Sequence, residues 1–544
     1  MSVIKFRQSY RNLLDLAYDA EDKKEDFKQI ALYRRAIRQN PKNAEAYFRL
    51  AEVLSDVGLV AASNRLLFRA LTLDSEDPDF YLLLGENNFS RSEWHKAGYY
   101  FRVFSEMDDG AEDYDFTPLY EAIQSHPNAS DKPRLKLVGA PEERKELERK
   151  AKKLLASGEF DQAGQVYRDI MHKNPNDLES ANFYALTKLL EGEVEESEKV
   201  TRSVLEKDAE NLSALSDLAI LQFLKGEQAE LQQTAEKLIA FPAQEQKDRT
   251  KVIATLCQIQ RHEAALQKTQ NYLAEYPFDT DVLFMSFYAS FNCRRFTEAK
   301  NTLLRILDLD DCLQAAKFYL HLTNDVLEGK AEPSILAYSP QVPTEEVVKR
   351  VMYLQKSKSL KEIWTDPLRK EIADWAFYTL TNLEFLCQLV GRIAGTQKRY
   401  YLPYFEELLL NETIADEVKA EILCVLLKNG KEHVFYVADG IFSELETENL
   451  AQGKWLNPLC RAVSTMAFVL LFEEDFASRF RRTAEELAQK QAATELALAN
   501  YSEFELAAYL VVRSGVDVER EEVCGIFRVE YDKIRSVGTL FDGD

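Results

Sequence analysis

Along most of the chain, apolar positions recur three and four residues apart, the period of a helix with one buried stripe. The stretches DPLRKEIADWAFYTLTNLEFLCQLVGRI (366–393) and VKAEILCVLLKNG (418–430) show it plainly. Short punctuated breaks interrupt the stripes, and in the first part of the chain the punctuation is regular. Residues 158–175 read GEFDQAGQVYRDIMHKNP, and similar runs end at Pro41 (RRAIRQNP) and Pro277 (QNYLAEYP). Proline stops a helix because it cannot continue the hydrogen-bond ladder.

The spacing is fixed. From Ala44 to Pro78 is 34 residues, and from Leu178 to Leu212 is again 34. With those residues as repeat starts, position 8 is small: Ala51, Gly85, Ala151, Ala185 and Ala219. Position 20 is small too: Ser63, Ala97, Ala163, Ser197 and Ala299. Position 15 is glycine at Gly58, Gly158, Gly192 and Gly226, although the seventh repeat lacks it and the eighth has Arg294 there. Small residues let two helices approach closely, large ones such as Phe160 and Tyr167 fill the space around them, and glycine tolerates the positive φ that ends a helix. One such helix pair cannot bury its own apolar face, so neighbours must stack.

These columns resemble the tetratricopeptide repeat over roughly residues 10–325, about eight repeats. The resemblance implies an all-α fold, a right-handed helical-hairpin solenoid. We expect a first array over 1–105 with about three repeats, an acidic and proline-rich break over 106–141, and a second array over 142–327 with about five. A linker over 328–344 and an all-helical C-terminal domain over 345–544 follow.

Composition agrees with helices. The chain of 544 residues is too long for one core, and glycine (19) and proline (15) are scarce. The formal net charge of −23 repels phosphate backbones and anionic membranes, so neither nucleic acid nor membrane is expected as a general partner. Seven cysteines without a CxxC pair argue against a disulfide framework or a zinc site, and no leader-like or membrane-spanning apolar run occurs. A cytoplasmic protein is expected.

Catalytic motifs are missing. There is no HExxH, GxxxxGK[ST], GxGxxG or GxSxG, and no two of the six histidines stand three to five apart. The acidic run EMDDGAEDYD (106–115) lacks the order of a calcium loop. No enzyme, cofactor or metal is expected.

In such a solenoid the concave face is lined by first-helix positions 2, 5, 9, 12 and 13. In the second and third repeats these include Glu45, Phe48, Glu52, Asp56, Asp79, Leu82, Glu86 and Phe89. Acid interleaved with aromatic and aliphatic groups suits a basic, partly apolar peptide, with Phe48 and Phe89 as anchors. In the fifth and sixth repeats the face is apolar, with Leu186, Leu189, Leu190, Ile220, Phe223 and Leu224, and calls for a partner helix or the chain's own C-terminal domain.

The end of the chain is similar to a helix-turn-helix, with EREEVCGIF (519–527) leading into EYDKIRSVGTLF (530–541). Its second helix opens on Glu530, Tyr531 and Asp532, the wrong charge to face phosphate. The leading expectation is a non-enzymatic scaffold that binds a protein or peptide in its concave groove. The alternative is a regulator that touches DNA through 515–541.

Overall fold

The structure is a computed structural model that describes residues 10–21, 23–107, 150–151, 153–155, 157–173, 177–356, 359–431, 433–438, 440–446, 501–514, 523–524 and 529–542. Among the described residues the fold is all-α apart from one β-hairpin. The acidic run 108–115 and the rest of the expected break to 141 lie outside the described residues. The chain divides into two compact units, residues 1–136 with 308–314 and 342–544, and residues 137–307 with 315–341.

The first unit opens with three helical hairpins: α1 (Tyr10–Glu21) with α2 (Asp26–Gln39), α3 (Ala44–Asp56) with α4 (Val60–Leu71), and α5 (Pro78–Ser90) with α6 (Trp94–Met107). The spacing works as the small residues predict. Ser63 at position 20 donates its hydroxyl to the Ala51 carbonyl at position 8, over 2.7 Å. In the third pair a Cβ on Gly85 would lie 2.5 Å from the Phe101 ring, so only glycine fits. Asn43 and Asp77 cap the starts of α3 and α5 by accepting backbone N–H bonds.

The second unit contains α7 (Phe160–Lys173), α8 (Leu178–Leu190), α9 (Val194–Lys207), α10 (Leu212–Lys225), α11 (Gln228–Ala240), α12 (Gln246–Gln258), α13 (His262–Leu273), α14 (Thr280–Asn292), α15 (Phe296–Leu309, whose end counts with the first unit) and α16 (Gln314–Leu327). First helices start every 34 residues from Leu178 to Gln314. Ser197 donates to the Ala185 carbonyl over 2.8 Å, repeating the Ser63–Ala51 contact. The turn residue at position 15 is left-handed even where it is not glycine: Ser92 (φ 59), Gln260 (φ 56) and Arg294 (φ 63) match Gly58 and Gly226. Stacking imposes that turn and overrides the local preference of the residue.

The remainder of the first unit is helical, with α17 (Thr344–Gln355), a 3₁₀ turn (Ser359–Trp364), α18 (Pro367–Thr379), α19 (Leu383–Ala394), α20 (Lys398–Leu409) and α21 (Asp416–Lys428). The sequence reading expected helices alone here. The structure adds an antiparallel hairpin of β1 (His433–Ala438) and β2 (Ile441–Glu446), with Val437 opposite Phe442. Helix α22 (Glu503–Ser514) and α23 (Tyr531–Asp542) pack against each other further on.

The hairpin is part of the repeat core. Val437, Ile441 and Phe442 are buried with Phe68, Leu71, Leu84 and Tyr100. The Tyr100 hydroxyl, fully buried, donates to the Gly440 carbonyl and accepts from the Phe442 N–H, both over 2.9 Å. Buried Lys419 donates to the Val437 carbonyl over 2.7 Å. Residues 308–314 are held in the same unit by arginines. Arg34 donates to the Asp308 and Leu309 carbonyls and pairs with Asp311 over 2.9 Å, and Arg65 pairs with Asp310 over 2.7 Å.

Candidate functional site

The first-helix face of the first unit is an acidic surface. Glu52 is half-buried and Asp56 and Glu86 are exposed. Burial raises the Glu52 carboxyl above its ordinary value. Arg49, which donates to it over 2.9 Å, lowers it, while the charges of Glu21 and Asp56 raise it further. Glu86 is raised as well, by the protein around its carboxyl and then by Asp56 and Glu52. The Glu86 carboxyl on α5 therefore feels the charges of Glu52 and Asp56 on the neighbouring α3. Glu45, in the first turn of α3, accepts from the Tyr18 hydroxyl over 3.2 Å. Asp79 is exposed in the first turn of α5 and donates its N–H to Asp77.

The aromatic groups are placed differently from the acids. Phe48 is half-buried, its ring centroid 5.0 Å from that of buried Phe80, with the Arg49 guanidinium over the Phe48 ring at 5.6 Å from its centroid. Phe89 packs edge-on against Trp94 at 5.1 Å, and Leu82 joins the same cluster around Phe101. Much of each ring is engaged within the unit. Two further groups, not at the expected lining positions, shape this region. Arg49 lies between Tyr18, Phe48 and Glu52. Buried Asn87 ties the repeats together, accepting from Ser55 over 2.6 Å and donating to Ser63 and Asn64.

In the second unit, Leu186, Leu189, Ile220 and Phe223 are half-buried, while Leu190 (48%) and Leu224 (59%) are exposed. Both exposed leucines occupy position 13 of their repeats. Near them Asp217 is half-buried, and burial of its carboxyl raises its pKa to about 6 against the opposing charge of Lys251. Lys251 itself donates to the Ser213 hydroxyl over 2.5 Å.

The same face is occupied further along. Residues 331–341, AEPSILAYSPQ, run without helix or strand, with bends near both ends, and bond to groups of α13, α14 and α16. Asn292, at position 13 of its repeat, donates to the Leu336 carbonyl over 2.9 Å and accepts from the Leu336 N–H over 2.8 Å. Arg294 donates to the Pro333 carbonyl over 2.9 Å and Tyr319 to the Gln341 carbonyl over 3.0 Å. The Tyr288 hydroxyl donates to the Ser339 carbonyl. Tyr338 is the one side chain gripped closely. Its ring stacks on His262 at 5.7 Å and its hydroxyl lies 2.9 Å from His262 Nδ1. Burial lowers the His262 pKa, favouring the neutral ring, whose Nδ1 shares a hydrogen bond with the tyrosine hydroxyl. Sequence reading placed only a linker here. The prolines at 333, 340 and 343 forecast an extended path but not its docking.

Asp310, Asp311 and Cys312 bring ligand atoms within 4.8 Å of one another, but Arg65 and Arg34 already pair with the two carboxylates. Of the expected helix-turn-helix, α23 is present, whereas 515–522 and 525–528 lie outside the described residues. Helix α23 exposes Lys533 and Arg535 but also Asp532, and Glu530 just before it is exposed too. Among the described residues no helix is long and apolar enough to cross a membrane.

The tetratricopeptide repeat profile matches residues 32–63, which cover most of α2, all of α3 and the start of α4. No curated protein matches the chain in sequence. Solved structures similar to it include the TPR domain of P58(IPK), at 13% identity over 59% of this chain and 99% of that one, with a TM-score of 0.23. Yeast Tom70 is similar at 13% identity over 90% of this chain and 98% of its own, with a TM-score of 0.28.

Proposed function

We propose that the chain, whose residues 32–63 match the tetratricopeptide repeat, is a non-enzymatic scaffold whose first unit captures a basic, partly apolar segment of another protein. One observation supports this most directly. Glu52, Asp56 and Glu86 are gathered on one face, and two of the three have carboxyls raised by burial and by one another. Arg49 already offsets part of the charge on Glu52, and the remaining like charges cost free energy at neutral pH until a further counter-charge arrives. A lysine or arginine side chain laid between them relieves that cost, and the relief adds to the ligand's affinity. Leu82 and the partly open edges of Phe48 and Phe89 offer apolar contact beside the acids. Preformed helices keep the ordering cost on the ligand's side.

The test uses a fluorescent decapeptide of alternating lysine and leucine, titrated into the full chain at low and at physiological salt. The variant Glu52→Gln, Asp56→Asn, Glu86→Gln removes three of 91 acidic side chains, so the overall field hardly changes. The face reading predicts affinity about tenfold or more weaker in the variant, with a shallower salt dependence. Equal affinities would show that the peptide binds the general acidic surface, and would contradict the assignment.

A further inference from the structure

We infer that the face built by α13, α14 and α16 in the second unit is a binding site for an extended, tyrosine-bearing peptide of another protein, and that residues 331–341 occupy it as an internal stand-in. This inference does not rest on the acidic face of the first unit.

The contacts are those of a peptide receptor. Four side chains, Arg294, Asn292, Tyr288 and Tyr319, address carbonyls of the segment, and Asn292 also takes the Leu336 N–H. Main-chain recognition tolerates many side chains, so a different sequence in the same extended conformation satisfies the same groups. Specificity lies at one place. The slot for Tyr338 pairs a stacking ring, His262, with an acceptor for the phenol, and Tyr288 lies 5.8 Å away. A ligand that lacks the hydroxyl leaves His262 Nδ1 unpaired in a half-buried site, so tyrosine is favoured over phenylalanine. The ligand class is therefore an extended segment with tyrosine two residues after the residue that Asn292 clamps.

The segment is held in a way that allows release. Glu332, Ser334, Ile335, Ala337, Pro340 and Gln341 are exposed, so little apolar area anchors it. Ile335 keeps 62% of its surface in water. Between its own residues the segment's backbone makes one turn bond, Ser339 N–H to the Ala337 carbonyl over 2.9 Å, and its first residue, Ala331, donates to the Asp325 carbonyl over 3.2 Å. Its attachment to α16 supplies a high effective concentration, on the order of millimolar for a short tether. A partner must outcompete that. Exposed Leu190 and Leu224 share position 13 with Asn292, so the track continues beyond the stand-in and gives a longer partner peptide contacts that residues 331–341 do not use.

Two measurements on the full chain decide it. Hydrogen exchange of the wild-type protein reads the segment without any substitution. The inference predicts that amides of 334–339 exchange at least about a hundredfold faster than those of α14. Equal protection would make the segment a permanent part of the fold and overturn the inference. Next, a fluorescent AEPSILAYSPQ peptide is titrated into the wild type and into a variant with 331–341 replaced by a glycine–serine stretch of equal length. The variant should bind at least about tenfold more tightly than the wild type. Adding Asn292→Ala to the variant, or alanine for the peptide's tyrosine, should remove that binding. A variant that folds and does not bind, or one that fails to fold without its own segment, would overturn the proposal.

Discussion

Tyr100→Phe isolates the joint between the third helical hairpin and the β-hairpin. The substitution keeps the ring that fills the core and removes only the hydroxyl. That hydroxyl serves two backbone groups, the Gly440 carbonyl and the Phe442 N–H, each at 2.9 Å. Both are left without it in a fully buried setting, among Phe68, Leu71 and Ile441. An orphaned buried donor or acceptor costs about 1–3 kcal/mol. Two of them, partly offset because the phenol no longer has to be desolvated, give about 2–4 kcal/mol. In exchange terms that is roughly 30- to 1,000-fold, taking 1.36 kcal/mol per factor of ten. The assay is hydrogen exchange with mass spectrometry on fragments covering 440–446, with α5 as the internal reference. The predicted result is faster exchange of the hairpin by that factor while α5 changes little. A change below about threefold would refute the reasoning, because the two bonds would then contribute almost nothing.

Three further predictions concern the repeats. Gly85→Ala forces a methyl to within 2.5 Å of the Phe101 ring, so it should lower the stability of the first unit by about 2–3 kcal/mol in urea unfolding; Gly58→Ala acts through φ +83 instead and meets no atom within 4 Å. Gln260→Gly relieves a left-handed residue at φ 56 and should stabilise the second unit by up to about 1 kcal/mol, read as a higher unfolding midpoint. Asp217, raised to about 6, binds a proton more tightly folded than unfolded, so its stabilising proton is fully present below about pH 4 and is lost as pH rises through 6. Asp217→Asn should therefore stabilise the second unit by about 1–2 kcal/mol at pH 7, with the gain vanishing toward pH 4; a gain independent of pH would contradict the burial of that carboxyl.

The repeat frame is readable in the chain because its causes are local and periodic. Ala51 with Ser63, and Ala185 with Ser197, are small at positions 8 and 20, and the structure shows why: the serine hydroxyl reaches the carbonyl of the facing helix. Departures at position 15 looked like decay of the pattern, yet Gln260 and Arg294 keep the left-handed turn. Neighbouring repeats impose what the residue itself disfavours. The β-hairpin carried a signal that helix periodicity masked, an Asp439-Gly440 pair between two short apolar runs, VFYVA and IF. Long-range partners carried none. Nothing near Arg34, Arg65 or Lys419 in the chain announces the carbonyls and carboxylates they meet. The acids of the candidate face were legible from repeat position, because that position determines which way a helical residue points. How much of Phe48 and Phe89 stays open was not, because Phe80 and Trp94 decide it.

The most direct test of the scaffold reading places a photo-crosslinking amino acid at position 86 of the full chain, on the acidic face, and separately at position 28, an exposed site on α2. Crosslinking in the source cell, followed by mapping of the joined peptides, reads both the partner and the face. The account predicts adducts from position 86 that map to lysine- or arginine-rich segments and weaken with the Glu52→Gln, Asp56→Asn pair, with few from position 28. Equal adducts from both positions, or adducts from position 86 that map to acidic or featureless segments, would contradict it.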